Sequence, residues 1–256
     1  MRWVAVLCFA GPLIAADPPS DLSPQQVDEI IQKFTAKEAA FARARENYTY
    51  RQTVRVQEMD ENGNPRGKHE IVSDIIFNAE GKRTERVVRA PMDTLERIQI
   101  TQQDEQDLRA VQPFVLTTKD INRYYVRYLG RERLDEIDCY AFAVKPKQMT
   151  PGERYFEGIA WVDDKDMQIV KTYGRGVGIE KSKGNHMYAK FETYRQQIDG
   201  KYWFPVYTSA NDTLNFASGP VPIKMLVKYE DYKQFKSEST ITFGDVAEPA
   251  KPPKKP

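Results

Sequence analysis

From Asn47 onward the chain keeps a rhythm of two. Thr49, Arg51, Thr53 and Arg55 are interleaved with Tyr50, Val54 and Val56, and comparable runs return as far as Phe243. Neighbouring side chains of a strand point to opposite faces, so this alternation specifies strands with one apolar face. Turn-forming clusters separate the runs: Asn62-Gly-Asn-Pro-Arg-Gly67, Ala79-Glu-Gly-Lys82, Leu134-Asp-Glu-Ile-Asp138, Asp163-Asp-Lys-Asp166 and Asp199-Gly200. Asp-Gly between two alternating runs is the strongest of these hairpin signals. Strands are expected at residues 49–56, 71–77, 83–89, 123–132, 139–145, 155–163, 168–173, 188–198, 201–208, 221–235 and 239–243. Short connections between them predict an antiparallel meander. The glycines of 174–185 read as a flexible loop, and Gly174-Arg-Gly-Val-Gly178 lacks both the following helix and the Gly-Lys-Ser/Thr ending of a phosphate loop.

One stretch has a different period. Ser23-Pro24 can cap and open a helix, and Val27, Ile30, Ile31, Phe34 and Phe41 then recur at helical spacing to about Arg45. The polar stretch 91–118 reads as an insertion, a cover or a lid, with a short helix near 101–111 ended by Pro113. The fold class expected is mainly β: an antiparallel sheet or open barrel of about ten or eleven strands with the N-terminal helix packed on it.

The first residues carry an export pattern. Arg2 precedes the apolar stretch Val4 to Ile14, and Ala15-Ala16 offers a small-residue cleavage site. Residues 1–16 are therefore expected to be a removable signal, residues 17–246 a single domain, and the Pro- and Lys-rich residues 247–256 a disordered tail. The apolar stretch is too short to span a bilayer. Once it is removed Cys139 stands alone, set among apolar neighbours, and reads as a buried small hydrophobe rather than a reactive thiol.

Charge and chemistry exclude several classes. With 38 Lys and Arg against 37 Asp and Glu the balance gives no reason to expect nucleic-acid binding. His69 and His186 are the only histidines, and neither sits at metal-ligand spacing or in a nucleophile motif. No catalytic residue, metal ligand or cofactor is expected, and the chain reads as a non-enzyme; a hydrolase built on paired acids stays open because such spacing is set in three dimensions. The apolar alternation allows either a packed core or a ligand-sized cavity. Candidate cavity residues are Tyr50, Val54, Val56, Ile75, Phe77, Val87, Phe142, Trp161, Ile169, Phe191 and Trp203, with Ile31, Phe34 and Phe41 on the helix as lid candidates.

Four stretches together carry a resemblance: Leu129-Gly-Arg-Glu-Arg-Leu-Asp-Glu-Ile-Asp-Cys-Tyr140, Ala143-Val-Lys-Pro-Lys147, the strand pair from Gly158-Ile-Ala-Trp-Val-Asp163 to Lys171, and the hairpin Phe191 to Pro205 with Asp199-Gly-Lys-Tyr-Trp-Phe-Pro205. In this order they resemble the LolA/LolB-like outer-membrane lipoprotein-sorting superfamily over about residues 25–245. The resemblance implies a half-open antiparallel β-barrel, with the N-terminal helix packed on or closing its concave face, that works as a periplasmic carrier with an apolar cavity for lipid or lipoprotein acyl chains. Its partners would be a lipid or lipidated protein, and with it a membrane transporter or outer-membrane acceptor. The alternative it allows is an envelope sensor or protein-interaction module on the same fold. No residue role is carried over.

Overall fold

The structure is a computed structural model that describes residues 21–77, 82–101, 104–105, 107–178 and 189–234, with backbone alone at 109 and 110. The expected signal segment, the strand at 239–243, His186 and the basic tail lie outside the described residues.

Helix α1 runs from Pro24 to Ala44. Its start is the one the sequence specifies. The Gln26 backbone N–H donates to Ser23 Oγ, the Ser23 N–H donates to Gln26 Oε1, and Pro24 occupies a position whose amide would have no helical partner. Ile30, Phe34, Thr35, Glu38 and Phe41 are its buried residues, at three- and four-residue steps, and they form one stripe against the sheet.

Ten strands follow: β1 Tyr48–Met59, β2 Pro65–Phe77, β3 Arg83–Arg89, β4 Tyr124–Leu134, β5 Ile137–Pro146, β6 Tyr155–Asp163, β7 Ile169–Val177, β8 Phe191–Ile198, β9 Tyr202–Phe216 and β10 Gly219–Gln234. They form one open sheet in the order β3-β2-β1-β10-β9-β8-β7-β6-β5-β4, antiparallel throughout. The Asp199-Gly200 hairpin has φ of 55° and 64° at its two central residues, the left-handed pair that a type I′ turn requires.

The register sorts the faces. Opposed residues in an antiparallel pair share a side. One rung runs Ile71, Val54, Val227, Thr208, Thr193, Thr172, Ala160, Phe142, Tyr128, and it defines the inner face under α1. The next runs Glu70, Arg55, Leu226, Ser209, Glu192, Tyr173, Ile159, Ala143, Arg127, and it defines the outer face.

Of the meanings open to the 91–118 stretch, topology favours a cover over an insertion. β3 and β4 are consecutive in the chain but stand at opposite edges of the sheet. Their link must cross the whole sheet, and it does so over the inner face as a strap, with one π-helical turn at Asp107–Val111. Val111, Phe114 and Leu116 are buried in the same cluster as Phe34 and Phe142.

Residues 174–177 also differ from the expected loop, the rest of which, 179–185, lies outside the described residues. β7 continues through Gly174 to Val177. A Cβ on Gly174 would meet the Glu157 carbonyl and the Phe156 ring, and one on Gly176 would meet the Arg154 guanidinium. These glycines make room for close neighbours within the sheet rather than for chain mobility.

Candidate binding cleft

α1 does not cover an empty space. Phe34 packs 5.3 Å from Phe142, Phe114 stacks on Phe156 at 4.4 Å, and Phe41 meets the edge of Phe204 at 5.1 Å. Ile169 and Phe191 complete the buried cluster around Phe34. The helix is fastened to this filled core by charge. Arg195 Nη1 donates to both Glu38 carboxylate oxygens at 3.0 and 3.1 Å, the Ile169 N–H donates to Glu38 Oε1 at 3.0 Å, and Arg195 Nη2 donates to the Phe114 carbonyl. Burial pushes the Glu38 carboxyl upward, against the pull of the adjoining Arg195 charge.

The open space lies under the strap. A partly open cavity of about 110 Å³ lies between the strap residues Ile98, Ile100 and Leu108 and the inner-face residues Val54, Val56 and Ile223. Leu214, Phe216, Met225, Ala189 and Phe191 extend the apolar wall, while His69, Asp104, Asp107 and Gln112 bring polar atoms to its rim. The volume is of the order of the ~150 Å³ apolar cavity that accepts benzene and lies below the ~300–1,000 Å³ of drug-sized sites. It has room for a short apolar segment. Gln112 Oε1 is buried without a hydrogen-bond partner, although Gln112 Nε2 contacts Met225 Sδ at 3.4 Å.

The strap is held at both ends. At its start the buried Glu58 carboxylate accepts the backbone N–H groups of Glu96, Arg97 and Ile98 at 3.0, 2.7 and 2.8 Å. Beside it, Thr94 N–H donates to the Lys68 carbonyl and His69 Nδ1 lies 2.9 Å from Asp93. The strap passes so close to Gly67 that a Cβ there would meet the Thr94 carbonyl. Farther along, Arg154 pairs with Asp107 through Nε at 2.7 Å and through Nη2, and also donates to the Gly178 carbonyl. Thr193 Oγ1 then donates to the Gln112 carbonyl at 2.9 Å.

The residues singled out from the sequence fall into separate places. Val54, Val56 and Phe191 line the cavity. Tyr50 and Phe77 line a second space of about 170 Å³ near Phe41, Tyr229 and Tyr232. Ile75, Phe142 and Ile169 are buried in packed interior. Val87 is 53% exposed on edge strand β3, where no described element covers it. Trp161 and Trp203 lie on the opposite face from Phe142. Trp161 pairs with Ala141 while Phe142 pairs with Ala160, so one face cannot hold both. Trp161 and Trp203 instead join Cys139 and Val170 in an outer cluster. Of the lid candidates on α1, Phe34 and Phe41 are core residues and Ile31 packs beside the core, while the strap lies over the cavity. Sequence reasoning missed the alternation of Ile98 and Ile100 within a polar stretch, and that of Leu214 and Phe216, each a visible two-residue signal. Among the described residues no three His, Cys, Asp or Glu side chains form a group able to hold a metal ion.

No family model and no curated protein matches the chain. Solved structures do. A DUF1329 family protein from Desulfovibrio piger is 13% identical, with 84% of this chain and 96% of the other covered, at a TM-score of 0.39. An outer membrane lipoprotein-sorting protein domain from Vibrio parahaemolyticus is 11% identical, with 80% and 92% covered, at 0.36. A LolA superfamily protein from Nitrosomonas europaea is 13% identical, with 78% and 94% covered, at 0.33.

Proposed function

We propose that the protein is a non-catalytic binding protein for a hydrophobic ligand, which it holds between the strap and the sheet. The observation that supports this reading is the position of the free volume. The interior around Phe34 and Phe142 is filled by aromatic rings, and the space beside Phe41 is walled by aromatic rings with Arg45, Glu46 and Arg83, whereas the space under the strap is lined mainly by aliphatic side chains from both sides. Apolar walls favour an apolar guest by about 25 cal/mol per Å² of surface removed from water. The partner in this reading is a lipid or the acyl chain of a lipidated protein, of which a short segment is enclosed at a time. The order of Arg2, the apolar stretch to Ile14 and Ala15-Ala16 supports work outside the cytoplasm, in the periplasm. No helix among the described residues is long and apolar enough to cross a membrane.

Uptake of the neutral dye N-phenyl-1-naphthylamine, read by its fluorescence, tests the reading. Ile223→Trp fills the cavity from the sheet side and is expected to abolish uptake while leaving the melting temperature level or higher. A wild type that takes up no dye, or an Ile223→Trp variant that takes up as much, overturns it.

A further inference from the structure

The end of α1 rests in an aromatic corner of the inner face. Phe41 meets Phe204 at 5.1 Å, Phe204 meets Tyr232 at 4.8 Å, Tyr232 meets Tyr50 at 5.2 Å and Tyr50 meets Tyr229 at 6.1 Å. These rings come from α1, β9, β10 and β1, and they wall the space of about 170 Å³ beside Phe41. Arg45, on the short turn that joins α1 to β1, borders the same space. No described lining residue is shared with the cavity under the strap. The volume is close to the ~150 Å³ apolar cavity that accepts benzene, so a single ring fills it.

The polar groups around this space are unequally engaged. The Tyr232 hydroxyl donates to the Pro205 carbonyl at 2.7 Å, and the Tyr229 hydroxyl lies 3.4 Å from Thr208 Oγ1. Arg83 donates to Glu85 at 3.0 Å and to Gln52 at 3.3 Å. Tyr50 and Arg45 differ from these. Among the described residues no hydrogen bond reaches the Tyr50 hydroxyl, and neither a hydrogen bond nor an ion pair reaches the half-buried Arg45 guanidinium. An arginine at a helix C-terminus can serve the last carbonyls of that helix, but Arg45 donates to none of them. The acids within its electrostatic reach leave it unsatisfied: Glu38 is bound by Arg195, and Glu46 is exposed at the rim without an ion pair to Arg45. Burial draws the Arg45 guanidinium downward from its ordinary value, against the opposing influence of Tyr50. A guanidinium nevertheless stays charged in a protein, so a partly desolvated cation borders the space without an anion.

We propose that this space is a second binding site, for a small aromatic carboxylate. The ring of the ligand lies among Phe41, Tyr50, Phe204 and Tyr232, in the tilted and edge-on contacts that rings prefer. Its carboxylate takes the fork of Arg45, with the Tyr50 hydroxyl as a further donor. Two considerations select this class. Aromatic walls alone would suit a cation as well, but the unpaired charge of Arg45 repels one. A bare inorganic anion would satisfy Arg45 and leave the rings uncovered. The site stands apart from the strap cavity, so neither reading depends on the other.

Fluorine NMR of 4-fluorobenzoate and of the neutral 4-fluorobenzamide, each titrated with the protein, tests the assignment, because the two share a ring and differ in charge. The acid is expected to bind saturably and the amide about tenfold more weakly. Arg45→Gln is expected to bring the acid to the level of the amide. Arg45→Lys, which keeps the charge and loses the fork, is expected to retain a preference for the acid. Ile223→Trp, which fills the strap cavity, is expected to change neither. A wild type that binds neither compound overturns the site. Equal binding of acid and amide, an acid unaffected by Arg45→Gln, or an Arg45→Lys variant as weak as Arg45→Gln overturns the role of Arg45. Acid binding that is lost in Ile223→Trp and kept in Arg45→Gln places the ligand under the strap and overturns the second site. Inorganic phosphate that displaces 4-fluorobenzoate at equal concentration overturns the aromatic class.

Discussion

Glu38 and Arg195 meet where α1 crosses β8, and both side chains are almost wholly shut off from water. Neither charge is supportable there alone. The pair is completed by the Ile169 amide and the Phe114 carbonyl, which makes it a junction of helix, strap and sheet. Removing one partner strands the other, so Glu38→Ala is expected to cost about 3–5 kcal/mol in urea unfolding. Glu38→Leu/Arg195→Met, which removes both charges and keeps the volume, should recover most of that loss. Cys139 behaves oppositely, as an apolar filler among Ala141, Trp161 and Val170. Burial first, then the charge of Asp163, pushes its thiol up to about 12. An unfolded thiol ionises near ~8.5, so above that pH the folded chain holds a proton that the unfolded one releases. Stability from this group is therefore level below about pH 8 and declines as pH rises toward 12. At pH 9 a disulfide reagent should leave native Cys139 untouched and react with it promptly in urea.

The strap is the element on which the binding reading turns, and its anchoring is uneven. Glu58 ties three successive amides with one carboxylate, while the far end relies on Arg154, Thr193 and Arg195. Glu58→Gln keeps the shape, loses the charge and one acceptor, and should cost roughly 1–3 kcal/mol locally. Faster amide hydrogen exchange at Glu96 to Ile98, with β5 and β6 unchanged, is the expected signature; protection lost uniformly would show that the strap does not open on its own. This element was the least legible in the sequence. Helix α1 could be read to within a residue, because capping and a single apolar stripe are local properties. The Asp199-Gly200 hairpin and strand β6 were legible for the same reason. That the 91–118 stretch links opposite edges of the sheet is a fact of strand order, and strand order is set by pairings distant in the chain. The glycines of β7 misled because a glycine needed for close approach to Glu157 and Phe156 looks, in one dimension, like a glycine needed for a turn. Trp161 and Trp203 misled because alternation gives two faces without saying which is inward, and both faces of this part of the sheet carry apolar clusters.

As a whole the molecule divides its inner face into a filled region around Phe34 and Phe142 and two spaces, one under the strap and one beside Phe41. That division limits what can be held. Each methylene transferred from water gains about 0.8 kcal/mol, close to a fourfold gain in affinity. A homologous series of alkyl competitors should therefore climb fourfold per carbon and then level off once the roughly 110 Å³ is occupied. A climb that continues unbroken to long chains would mean that the strap lifts to admit them, and Glu58→Gln should then extend it further.

The sheet also remains unclosed, with β3 and β4 as its outermost strands. β3 shows Val87 and Val88 to solvent, and an open row of amides beside such residues is a template on which a second molecule could extend the sheet. Arg83, Arg86 and Arg89 punctuate that row, and Arg86 and Arg89 lean back onto Asp74 and Glu70 of β2. A like-charged copy brought alongside would set guanidinium against guanidinium before its backbone could pair. On the binding reading, the same arginines that brace β2 also disfavour extension of the sheet by a second copy, so that an apolar cleft and an open edge can coexist in one molecule.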